Sequence, residues 1–160
     1  MNPALFLDRD GVINEEINYL YKIEDFVFIP EIFNICNFYQ QNGYKIIVIT
    51  NQAGIARGLY TEEDLSVLNN WMTEQFSKKG INIDKIYHCP HHPDFTGYCE
   101  CRKPNPGMIF KAAEELNIDI RRSVLIGDKD SDFKAGINAG IPNLFHIEEI
   151  RRRINNLPLF

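Results

Sequence analysis

Short apolar runs alternate with stretches of helical periodicity along most of the chain. Residues 4–7 are apolar throughout, too few for a helix, and stop at Asp8-Arg9-Asp10-Gly11, which predicts a buried strand. Residues 44–50 are rich in β-branched side chains and follow Gly43, which predicts a second strand. Residues 83–88, 123–127 and 143–147 are predicted as the third to fifth. Helices are predicted over 30–42, 61–79, 105–116, 131–139 and 148–155, several closed by a glycine. Thr61-Glu62-Glu63-Asp64 has the outline of a capping box at the start of the second of these. Residues 12–29 break the rhythm: alternation around 13–21 and 26–29 predicts a small flap or hairpin beside the first strand.

Strands joined by crossover helices predict an α/β fold, a doubly wound parallel sheet with helices on both faces and no large cap. At 160 residues one domain is expected over 1–160. Hydrophobic residues make up 44% and charged residues 24%, which excludes disordered and low-complexity classes. Seventeen basic and 22 acidic residues leave a net charge of −5. A broad basic surface for nucleic acid is therefore not expected, and an anionic ligand needs local cations or a metal to override the field. No apolar run is long enough to span a bilayer, and the amino terminus lacks the pattern of a secretion signal. The expectation is a cytoplasmic monomer that acts on a small molecule, with neither membrane nor nucleic acid as partner. In that compartment the four cysteines are thiols or metal ligands. Cys36 shares a helical stripe with Ile32, Ile35 and Tyr39 and reads as core.

The polar clusters fall where predicted strands end, which is where parallel sheets bind ligands. Asp8 and Asp10 end the first strand, one residue apart, and Asp128 ends the fourth. Carboxylates brought this close repel unless a cation or proton sits between them, and a site of few carboxylates suits Mg²⁺. Thr50 and Lys103 offer a hydroxyl and an ammonium to phosphate oxygens, and the backbone N–H groups of Asn51 and Gln52 lie just past the second strand. This set suits phosphoryl transfer to an aspartate followed by hydrolysis.

Cys89, His91, Cys99 and Cys101 supply three thiolates and an imidazole within a short span, a full tetrahedral set for structural Zn²⁺. His92 competes with His91, but the one-residue spacing mirrored in Cys99 and Cys101 favours His91. Such a ring would clamp the loop that delivers Arg102 and Lys103.

Phe6-Leu7-Asp8-Arg9-Asp10-Gly11-Val12, Thr50-Asn51-Gln52, Lys103-Pro104 and Gly127-Asp128-Lys129-Asp130-Ser131-Asp132 resemble, in order, the motifs of the haloacid dehalogenase (HAD) superfamily of phosphatases. The resemblance implies Asp8 as nucleophile and Asp10 as general acid/base that also gives Mg²⁺ its backbone carbonyl. It implies Thr50 and Lys103 on the phosphoryl group, Asp128 as a further Mg²⁺ ligand, and Asp132 orienting the metal shell or Lys103. Asn51 to Gly58, Cys89 to Pro93 and Cys101 to Met108 are similar to the D-glycero-D-manno-heptose-1,7-bisphosphate 7-phosphatases, which serve ADP- or GDP-heptose synthesis for lipopolysaccharide and capsule. That likeness implies that Arg102 helps recognise substrate and that the stretches 16–19 (Glu16 to Tyr19) and 50–53 (Thr50, Asn51, Gln52 and Ala53) line its site. Arg57 and Arg102, with Lys129 nearby, are suited to a second phosphate. The short stretch between His92 and Cys99 is nearer to the histidinol-phosphate phosphatases, which stand as the alternative. Two other classes remain as alternatives: a zinc-organised binding domain without catalysis, and a zinc hydrolase.

Overall fold

In the computed structural model, which describes residues 1–156, five parallel strands form one sheet in the order β3-β2-β1-β4-β5. They are β1 (Ala4–Leu7), β2 (Lys45–Asn51), β3 (Lys85–Cys89), β4 (Val124–Gly127) and β5 (Asn143–His146). Leu5 in β1 pairs with Ile46 of β2 on one side and Val124 of β4 on the other. The chain thus winds outward from β1 through β2 to β3, then returns to the far side for β4 and β5. The direction reverses between β1 and β4, and in such sheets the crevice at the carboxyl ends of these strands is the place for a ligand.

Helices α1 (Glu31–Gln41), α2 (Glu62–Lys78) and α6 (Ile147–Asn156) are joined on the sheet by α4 (Gly107–Leu116) and α5 (Asp130–Ala139), while the single-turn α3 (Pro93–Thr96) has no buried residue and lies in the connection after β3. Alternate strand residues feed two separate cores. Leu5, Leu7, Ile46, Val48 and Ile126 face Ile35, Cys36, Leu68, Met72 and Ile150, from α1, α2 and α6. Ala4, Phe6, Ile47, Ile49 and Leu125 face Met108, Ile109, Ala112 and Ala135, from α4 and α5. Both faces are covered, which is why the strands read as continuous apolar runs rather than as alternation. Thr61 caps α2 as its sequence predicts: its Oγ accepts from the Asp64 amide at 3.1 Å while the Asp64 carboxylate accepts from the Thr61 amide at 2.9 Å. Among the described residues no helix is long and apolar enough to cross a membrane, and no large cap is present.

Of the two forms expected for residues 12–29, a small flap or a hairpin, the chain forms the flap. Its two limbs meet at a single antiparallel bridge, Asn14 to Phe28, held by Glu15 N–H to Val27 O and Ile29 N–H to Ile13 O, both 2.8 Å. Turns and the 3₁₀ segment Ile23–Asp25 fill the rest. Val12 and Ile13 are consecutive and both fully buried, which a pleated strand with one wet face does not allow. The apolar spacing comes instead from a loop that presses Val12, Ile13, Leu20 and Phe26 into the core. Two further elements, α3 and the 3₁₀ segment Ile120–Arg122, lie where only loops were predicted.

Candidate active site

Asp8 follows β1 directly, and Asp128 follows β4, its neighbour in the sheet. Strand pairing therefore brings together carboxylates 120 positions apart in sequence. One oxygen from each of Asp8, Asp128 and Asp132 lies within 4.8 Å of the others. Gly11 lets Asp128 approach: a Cβ there would stand 2.0 Å from its Oδ2, and φ of +89° disfavours any side chain.

Lys103 enters this cluster from the loop before α4. Its Nζ donates to Asp8 Oδ1 at 2.9 Å, Asp132 Oδ1 at 2.6 Å and the Ile49 carbonyl at 2.9 Å. All three ammonium protons are thus used, which makes burial of the charge tolerable. Burial acts to lower the Lys103 pKa, but Asp8 and Asp132 outweigh it and hold the ammonium protonated. Asp132 is spent on structure: its Oδ2 accepts from the Asp128 and Lys129 amides, both at 3.1 Å. Burial alone would raise Asp132, yet Lys103 and these amides keep its pKa low.

The other two carboxyls differ. Burial pushes Asp8 up, Lys103 opposes this, and the charges of Asp132 and Asp10 push it further up. Burial and then Asp8 raise Asp128 to about 7. Asp128 Oδ1 is buried without a hydrogen-bond partner. A buried orphan oxygen beside a carboxylate of raised pKa is the donor set a hard divalent cation fits. Asp8 and Asp128 are free for that role in a way that Asp132 is not.

Asp10 points to the rim, with its side chain 18% exposed. Arg9, buried between the two aspartates, donates from Nε and Nη2 to Asp10 Oδ1 at 3.1 and 2.9 Å, and Asn14 adds a third donor at 3.1 Å. Sequence reading missed Arg9 and Asn14 as supports. The signal was present in Arg9, a cation between two acids at the end of a buried strand, although its inward direction depends on the loop that follows.

Structure alters the expectation for Asn51 and Gln52. The Gln52 amide N–H is bound to the Cys89 carbonyl at 2.7 Å, so it is not offered to phosphate as expected. Strand pairing to β3 continues one residue further than the sequence suggests. The Asn51 side chain clamps the Lys103 backbone, accepting from its N–H at 3.0 Å and donating to its carbonyl at 3.1 Å. Thr50 is fully buried; its Oγ accepts from Gln52 Nε2 at 2.8 Å and donates only over a long 3.5 Å contact to the Asn51 carbonyl, a bond that a ligand oxygen can displace.

A cavity of about 540 Å³ opens above this floor. Glu16, Tyr19, Asn51, Gln52, Ala53, Arg57, Arg102 and Lys129 all line it, together with Asp10 and Lys103. Ile17 and Asn18, within the expected stretch 16–19, line it too, and its walls also include Tyr60, His92 and Ser131, to which sequence reading gave no place in the substrate site. Tyr19 sits at φ +57°, an uncommon conformation that turns the loop over the cavity. Lys129 pairs with Glu16 across the mouth at 2.8 Å. The Arg57 guanidinium packs over Tyr19 and Phe95, 5.8 and 5.1 Å from the ring centres.

Beside the cavity, Cys89, His91, Cys99 and Cys101 converge at the end of β3. Cys89 Sγ lies 3.5 Å from His91 Nδ1 and from Cys99 Sγ, and Cys101 Sγ lies 3.3 Å from His91 Nδ1. These edges, and the 3.6 Å between Cys101 and Cys99, approach those of a tetrahedron with metal–ligand bonds of about 2.0–2.3 Å, while the Cys89–Cys101 edge is shorter, at 2.7 Å. Burial pushes the Cys99 thiol up, but the Arg102 amide and the neighbouring thiols bring it down to about 7. His92 is excluded from the set, since it caps α3 through Nδ1 and meets Arg57 through Nε2 at 3.3 Å. Asn105 Nδ2 bonds the Cys99 carbonyl at 2.8 Å and Arg102 reaches back to the His91 carbonyl at 3.2 Å, so the cluster and the Lys103 loop form one braced unit.

The chain is similar to proteins of known name. The HAD-hydrolase-like family model matches residues 100–146. D-glycero-alpha-D-manno-heptose-1,7-bisphosphate 7-phosphatase of Campylobacter jejuni is 50% identical over 149 residues, covering 93% of this chain and 84% of that protein. D-glycero-beta-D-manno-heptose-1,7-bisphosphate 7-phosphatase of Yersinia pestis is 44% identical, over 87% of this chain and 77% of its own length. Among solved structures, D,D-heptose 1.7-bisphosphate phosphatase of B. bronchiseptica, complexed with magnesium and phosphate, superposes with a TM-score of 0.82 at 29% identity, covering 98% and 88% of the two chains. The chain belongs to the D-glycero-D-manno-heptose-1,7-bisphosphate 7-phosphatase family of HAD-like hydrolases.

Proposed function

We propose that this chain removes the 7-phosphate of D-glycero-D-manno-heptose 1,7-bisphosphate through a phosphorylated Asp8. One observation carries the reading: Asp8 is held by a buried ammonium and has a carboxylate oxygen within 4.8 Å of one from Asp128, a residue whose Oδ1 is buried and unpartnered. Asp8 attacks phosphorus as the bond to the sugar oxygen breaks, and Asp10 gives that oxygen its proton. Water then attacks the phosphoryl group, the bond to Asp8 breaks, and Asp10 takes the proton back. Lys103, transferring to the phosphoryl group the proton it now gives Asp8, and the Thr50 hydroxyl hold phosphoryl oxygens throughout. Asp8, Asp128 and the Asp10 carbonyl are the groups that would hold Mg²⁺, which when bound neutralises charge on the phosphoryl group. Arg57, Arg102 and Lys129 are placed to receive the phosphate that is retained.

The relatives' names favour heptose over histidinol phosphate and cover both anomers. With Mg²⁺ present, kcat/KM for one heptose bisphosphate anomer is expected to exceed that for histidinol phosphate by about 100-fold or more, because a monophosphate offers no second anion to the cations that line the cavity. A phosphate-release screen over both anomers and histidinol phosphate checks this. The reverse order would overturn the substrate assignment.

Cys89, His91, Cys99 and Cys101 are proposed to hold structural Zn²⁺, with no open position for catalysis. Cys101→Ser is expected to lower the thermal midpoint by about 5–10 °C, as a loss of about 2–3 kcal/mol would in a chain of this size. Calorimetry with parallel zinc analysis checks it. An unchanged midpoint in zinc-loaded protein would argue against a structural ion.

A further inference from the structure

We propose that Tyr60 is a positioning residue for the general acid Asp10, and that it acts by fixing which way the Gln52 amide faces. The inference rests on the proposed function, since it presupposes the role given to Asp10.

Asp10 Oδ1 already accepts from Arg9 Nε, Arg9 Nη2 and Asn14 Nδ2. Three donors on one oxygen leave little room for a proton there. Oδ2 has a single protein donor, Gln52 Nε2 at 3.2 Å, so Oδ2 is the oxygen that carries the transferable proton. The same Gln52 nitrogen donates its second proton to Thr50 Oγ at 2.8 Å. One amide group therefore sets the acid oxygen and a phosphate-binding hydroxyl relative to each other.

An amide is nearly symmetric in shape, so its orientation is decided by its partners. Turned over, Gln52 would set its oxygen against Asp10 Oδ2, where it would repel the carboxylate or draw the acid's proton away from the leaving group. Tyr60 selects the productive orientation, because its hydroxyl donates to Gln52 Oε1. Burial pushes the Tyr60 phenol up to about 12, so the donor stays protonated. Gln52 and Tyr60 are 3% and 5% exposed, and water does not replace the bond readily.

The ring is itself placed by its surroundings. Tyr60 stacks on Tyr21 at 5.3 Å with an interplanar angle of 16°. Gly54 lies under it, where a Cβ would come within 2.1 Å of the ring. Thr61, the next residue, is fixed as the cap of α2. The hydroxyl is thus carried by a rigid ring, and Tyr60→Phe removes it while keeping the stacking.

The test separates positioning of an acid from a general loss of structure. A leaving group such as p-nitrophenolate departs without a proton, whereas a sugar alkoxide needs one. For Tyr60→Phe, the loss in kcat/KM on the heptose bisphosphate is expected to exceed the loss on p-nitrophenyl phosphate by about 10-fold, a fraction of what general acids contribute. Gln52→Met should show the same selective loss, and adding Tyr60→Phe to it should cost nothing further. Equal losses on the two esters, a rise in KM alone, or additive losses in the double variant would each overturn the proposal. A wild-type chain that hydrolyses p-nitrophenyl phosphate but not the bisphosphate would overturn the substrate reading instead, and the comparison then uses whichever sugar phosphate is turned over. Hydrolysis of neither ester would overturn both.

Discussion

Asp8→Asn is expected to lower kcat by at least about 10³-fold while leaving the fold intact, as removal of a covalent nucleophile does elsewhere. The size of the effect follows from the reaction proposed, in which no other described side chain is placed to take the phosphoryl group. Asp10 is held at the rim by Arg9 and Asn14, and Asp132 is fully committed to Lys103 and two backbone amides. Retention of the fold follows from Lys103. Its ammonium donates to one Asp8 oxygen, and the amide oxygen of the variant accepts the same bond. Asp132 and the Ile49 carbonyl keep the remaining two. The variant should therefore still bind phosphate while releasing none, and binding measured by calorimetry alongside turnover separates the two. Turnover within 10-fold of wild type, about 1.4 kcal/mol of barrier, would remove Asp8 from the chemistry.

Much of this site was legible because its parts are tied to strand ends. Asp8, Thr50 and Asp128 each follow or end an apolar run that only a buried strand explains, and parallel pairing brings such ends together. The Cys89 to Cys101 cluster was legible from ligand chemistry alone, because soft ligands at that density have few other uses. Support within the site was harder to read. Arg9 and Asn14 act through directions set by the loop over 12–29, whose apolar spacing imitates a pleat but arises from irregular packing. Asn51 and Gln52 read as phosphate donors, yet one clamps the Lys103 backbone and the other orients Asp10. A sequence gives the donors of an amide but not the partner each donor meets, and here the partners come from 42 to 52 positions away.

Asp128→Asn is expected to have opposite effects on turnover and on stability. Turnover should fall by about 10³-fold, comparable to loss of a group that stabilises transition-state charge, because the metal loses its second carboxylate. The metal-free fold should become more stable at pH 8, by about 1–2 kcal/mol after discount for the partial exposure of this carboxyl. The sign follows from the direction of the shift. Burial and the nearby Asp8 raise the Asp128 pKa from its ordinary value to about 7 in the fold. The folded chain therefore holds a proton that the unfolded chain has already released over the interval from about pH 4 to pH 7. Stability of the metal-free wild type falls as pH rises through that interval and is then level, while the amide variant has no such decline. The two should converge near pH 4 and diverge fully above pH 7. Denaturant titrations in chelator at pH 4, 6 and 8 would check it, with Mg²⁺ added in parallel. Saturating Mg²⁺ should reverse the order at pH 8, since the ion binds only the folded wild type tightly. A variant that is less stable than wild type in chelator at pH 8 would mean that Asp128 is held by the fold itself, rather than being a charge the fold tolerates in order to bind a cation.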